Sequence, residues 1–137
     1  MLSYGLAFLA LFLGDLIGNV LTLPVHAIDK KLQWAGKSPE QWKSVGVESP
    51  TERLRAVSFA TGLVCTVITR LVGFWAAGRV FIWRGTEMPI GFIVVAGAVL
   101  LLNDGARVAR FLGNSGVWTE LGYAAGGLTA VALLLLQ

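Results

Sequence analysis

The chain has 137 residues and a formal net charge of +3, with 55% of its residues hydrophobic and only 14% charged. A soluble domain carries about 25% charged residues, so this composition, with a mean hydropathy of +0.72, points to a single integral membrane domain over 1–137. One cysteine, Cys65, excludes an internal disulfide, and one histidine, His26, excludes a His/Cys metal cluster.

A helix needs about 20 apolar residues to cross about 30 Å of hydrocarbon. The first run that qualifies spans Tyr4 to Leu23 (4–23) and is expected to end at Pro24. Its end resembles a signal-peptide cleavage site at "VHA" (25–27). No basic residue precedes the run and Asp15 interrupts it, so a retained span is expected. Asp15 and Asn19 are one turn apart, and Gly14 and Gly18 form a small-xxx-small pair beside them.

The loop 28–54 follows, and Lys30, Lys31, Lys37, Lys43, Arg53 and Arg55 lie in it or at its edge. "SPEQ" (38–41) and "SPTE" (49–52) each read as a capping box, with serine as cap and proline in the first helical position. Trp34 and Trp42 favour the headgroup zone, so an amphipathic, interfacial segment is expected here, against the alternative of an ordinary solvated loop.

The second span, 56–83, is longer than one crossing requires and is expected to tilt or protrude. Thr61, Cys65, Thr69 and Gly73 recur at four-residue steps along it, a face for packing or for bonding back to its own carbonyls. Arg70 lies at a depth from which its long side chain reaches Asp15, predicting an Asp15–Arg70 contact, direct or bridged by Asn19. That polar cluster reads either as part of a proton or ion route or as a clamp on helix register. Trp75, Arg79 and Trp83 share one stripe and Arg84 follows, which suits interfacial anchors or a headgroup ledge.

The third span, 88–102, is short and opens on Pro89, followed by a loop with Arg107 and Arg110. The fourth, 117–136, starts with Glu120 in its first turns, a candidate cap, and carries Gly122 and Gly126. The fold expected is all-α, with four transmembrane helices. The basic loops orient both termini to the non-cytoplasmic side, as in a cytoplasmic (inner) membrane protein.

No phosphate loop, Gly-x-Ser-x-Gly elbow, paired histidines or CxxC is present, and nothing matches a nucleic-acid groove. "TERLRA" (51–56) resembles the opening of a span in the membrane-associated eicosanoid and glutathione enzymes. The asparagine and glutamate expected next in that family are replaced by "VSFATG" (57–62), so no activity is carried over. The sequence therefore predicts a non-catalytic accessory or assembly subunit of a larger membrane complex, or a homo-oligomer. Its partners would be lipids and other membrane subunits or copies, with no nucleic acid. Lipid-facing Trp and Phe rings suit a pigment, quinone or lipid without identifying one. The alternative is a pore or transport protomer, including a phage-holin-like one, with Asp15, Asn19, Arg70 and the threonine stripe lining a wet path.

Overall fold

The computed structural model describes residues 1–33, 52–112 and 117–137, with side chains for 1–24, 55–112 and 117–137. The chain folds into α1 (Leu2–Gln33), α2 (Glu52–Trp83), α3 (Ile90–Arg110) and α4 (Val117–Leu135), with no strand among the described residues. Each helix contains a stretch long and apolar enough to cross a membrane: Leu2–Pro24, Arg55–Trp83, Ile90–Arg110 and Val117–Leu135. Two of the expected interfacial anchors, Trp34 and Trp42, lie outside the described residues, as does the loop segment with its capping boxes.

Two helices run further than their sequence signals suggest. Pro24 does not end α1; it lies inside the helix, which continues to Gln33. Proline removes one N–H and crowds the carbonyl a turn earlier, but stopping there would strand several backbone groups at the apolar boundary. The third helix does not stop at Leu102 either; it continues through Asn103, Asp104 and Gly105 to Arg110. Asp104 and Arg107 find partners on neighbouring helices, and Arg107 and Arg110 suit the negative end of its dipole. Pro89 takes the cap position, one residue before the first helical turn.

The turn between α2 and α3 is fixed by its glycine. Gly85 has φ +72°, which places it in the left-handed region. The Gly85 N–H donates to Ile82 and the Thr86 N–H to Phe81, so the last carbonyls of α2 are satisfied in a Schellman closure.

Facing residues define the packing. Gly14 lies against Gly73 and Ala76, and Gly18 against Thr69, so α1 and α2 are antiparallel and in close contact. Gly122 and Gly126 meet the backbone of Phe59 and Leu63 in rising order on both helices, which makes α4 parallel to α2 on its other side. At both seams a Cβ on the glycine would strike backbone atoms, so the small residues set the approach distance. The third helix is held by larger groups. Phe92 packs edge-on against Phe8 and Phe81, with ring centroids 4.9 and 5.3 Å apart, and the core continues through Ile93, Ala96 and Leu100 to Val131 of α4.

Candidate functional site

Asp15 lies 13 residues after Leu2, Arg70 lies 13 before Trp83 and Asp104 lies 14 after Ile90. At 1.5 Å per residue, all three stand about 20 Å from the same end of the bundle, where Tyr4, Phe81 and Phe92 meet. Their side chains converge. Arg70 Nη1 donates to Asp15 Oδ1 at 3.1 Å, and Nη2 donates to Asp104 Oδ1 at 2.9 Å. One guanidinium thus ties three helices together, bonding each carboxylate through a different nitrogen.

The two carboxylates differ in access. The Asp104 side chain is 1% exposed and that of Arg70 7%, whereas Asp15 retains 18% and sits on the rim of the α1–α2 seam. A lone charge in the hydrocarbon centre costs about 2.5–3.5 kcal/mol on insertion scales, so each of these groups depends on the others. Three buried polar atoms here lack a hydrogen bond: Arg70 Nε, Asp104 Oδ2 and Thr66 Oγ1.

Asn19 does not join this cluster. Its side chain is exposed, and its backbone carbonyl accepts a bond from the Thr22 hydroxyl. Four residues carry the helix about 40° past a full turn, and from Asp15 that rotation leads away from the Gly14/Gly18 face. Of the threonine stripe on α2, Cys65, Thr69 and Gly73 are buried, and the Thr69 hydroxyl donates to the Cys65 carbonyl at 2.6 Å.

A second polar contact lies one helical turn from Asp104. Arg107, read from the sequence as a loop residue, projects from α3 onto Glu120 of α4, with Nε 3.1 Å from Oε2 and its guanidinium over the Tyr123 ring. Glu120 is buried and belongs to this ion pair, beyond any role in capping α4. At the opposite end of the bundle, Trp75, Arg79, Trp83 and Arg84 are all exposed, with each arginine about 6.0 Å from a tryptophan ring centre. The four packing glycines serve seams within the chain: Gly14 and Gly18 on α2, Gly122 and Gly126 on its other side.

The sequence reading missed Asp104 and the Arg107–Glu120 pair. The signal was present in the helical period of α3: Phe92, Ile93, Ala96, Gly97 and Leu100 are buried at three- and four-residue steps, and the next step falls on Asp104. Asn103, beside it, is exposed at nearly the same depth. Among the described residues no group of three or more His, Cys, Asp and Glu side chains is placed to hold a metal ion. Comparison with protein-family models, curated proteins and solved structures finds no match for this chain.

Proposed function

We propose that the chain is a non-catalytic membrane subunit that docks on helices of a larger membrane complex or of a second copy of itself. One observation carries this reading. Asn19 on α1 and Asn103 on α3 present side-chain amides outward, within the stretches that meet hydrocarbon, and neither bonds to another described residue. An amide facing lipid has no partner there, whereas an amide facing another helix gains an interhelical hydrogen bond of about 0.6–2 kcal/mol. The pairs Gly14/Gly18 and Gly122/Gly126 are already used inside the chain, and these amides, flanked by Leu16, Ile17, Val20 and Leu102, offer association a polar contact. The basic residues between α1 and α2 and at the end of α3 orient both termini to the non-cytoplasmic side, in a cytoplasmic membrane.

The test is the mass of the intact particle released from native membranes in mild detergent. It should exceed the 14.6 kDa of one chain, and replacing both residues (Asn19→Leu with Asn103→Leu) should return it to the single chain. A particle that is already a single chain before substitution overturns the subunit reading. A second reading, a pore or transport protomer, draws support from Asp15, the one carboxylate of the cluster that reaches the bundle surface. It requires ion flux through liposomes carrying the chain, lost in Asp15→Asn.

A further inference from the structure

We infer that the buried cluster is a proton-binding site, in which one proton is held on Asp104 Oδ2 at neutral pH. The inference starts from a count. Arg70 supplies one positive charge and faces two carboxylates, one from α1 and one from its own partner on α3. With both aspartates ionised the cluster holds a net negative charge in the bundle interior; one proton removes it.

The position of that proton follows from the geometry. Oδ1 of each aspartate already accepts from Arg70, so the proton belongs on an oxygen that does not. Asp104 Oδ2 is buried, has no hydrogen-bond partner and faces α4 at Gly127. A methyl group on Gly127 would fall 2.6 Å from this oxygen and 3.7 Å from the Thr66 methyl. The glycine therefore leaves room for the carboxyl group, and Thr66 borders the same space with its own hydroxyl unpartnered. The two oxygens do not bond to each other as they stand, and an enclosed oxygen without a donor is buried at less cost in a neutral carboxyl than in a carboxylate. Of the two aspartates, Asp104 is the better holder, because its side chain is 1% exposed against 18% for Asp15 and its second oxygen is enclosed without a donor.

The surrounding charges are compatible with this placement. On α2 the facing group is Arg70; on α1, among the described side chains, Asp15; on α3 itself, Arg107 lies a turn beyond Asp104 and is engaged by Glu120 of α4, beneath Tyr123. No second described guanidinium is placed to neutralise Asp104 directly. A sodium ion would need five or six oxygens; Asp104 Oδ2 and the Thr66 hydroxyl are the two unpartnered oxygens here.

The proposal stands apart from the assembly reading, since it concerns the interior of one chain. It is tested by infrared spectroscopy of the whole chain in lipid nanodiscs at neutral pH, with aspartate carboxyl carbons isotopically labelled. The chain has three aspartates, Asp15, Asp29 and Asp104. The expected result is one protonated-acid carbonyl band that shifts with the label, survives exchange of sodium for potassium, and disappears in Asp104→Asn. Should Asp104→Asn fail to fold, Asp15→Glu and Asp29→Asn carry the assignment: both keep the charge count of the cluster, and the aspartate-labelled band must persist in both. Absence of the band from the unsubstituted chain, its loss in Asp15→Glu or Asp29→Asn, or its loss on adding sodium overturns the proposal.

Discussion

The second helix has two kinds of neighbour. With α1 and α4 it makes seams in which glycine lets backbone approach backbone, and the Asp15–Arg70 pair lies on the rim of the α1 seam. With α3 the contact is made by side chains: an aromatic cluster at one end and the Arg70–Asp104 bond deeper in. The first kind is set by shape alone and resists any change of conditions that spares the backbone. The second depends on charge, so its strength responds to the protonation of two carboxylates. Hence α2 meets α1 and α4 through fixed backbone contacts, and the part of the bundle that charge can tune is the Arg70 node that joins α3, and the rim of α1, to α2.

This contrast can be broken from either side. The largest effect is expected from Arg70→Met, which leaves two buried carboxylates without a cation and should destabilise the bundle by about 3–5 kcal/mol. In hydrogen exchange its damage should concentrate in α3, with α4 still protected; equal loss in both helices would erase the distinction. Gly126→Val attacks the other seam, where the new side chain meets the Leu63 carbonyl, a backbone atom that cannot swing aside. A loss of about 1–3 kcal/mol is expected by thermal unfolding in detergent, with α4 exchanging first. The smallest effect belongs to Arg107→Gln. The Arg107 side chain is 42% exposed, and such a pair contributes less than about 1 kcal/mol. A larger loss there would make the Arg107–Glu120 pair a second anchor of α3.

The four crossings were legible because apolar length is the one signal that bilayer thickness imposes on every span. The Asp15–Arg70 contact was legible from depth, since a charge in hydrocarbon must be matched by another on a facing helix. What was hidden depended on tertiary partners. Asn103, Asp104 and Gly105 read as a turn by local preference, and only Arg70 on α2 makes Asp104 a helical, buried residue. Pro24 misled for the same reason, because local chemistry favours a stop that the hydrocarbon boundary forbids. The glycines advertised close packing correctly, but a small-residue spacing does not name the helix it meets. Asn19 was placed with Asp15 by its four-residue spacing, and a further 40° of rotation was enough to turn it outward.

The most direct test concerns Arg70 as the tie between three helices. Thermal stability in mild detergent should be measured for Arg70→Met and for a triple variant combining it with Asp15→Leu and Asp104→Leu. If Arg70 is the tie to which both carboxyl groups bond, the single variant loses about 3–5 kcal/mol and the triple variant, with no charge left to bury, recovers most of it. A triple variant less stable than Arg70→Met, or an Arg70→Met chain as stable as the unsubstituted one, would contradict it.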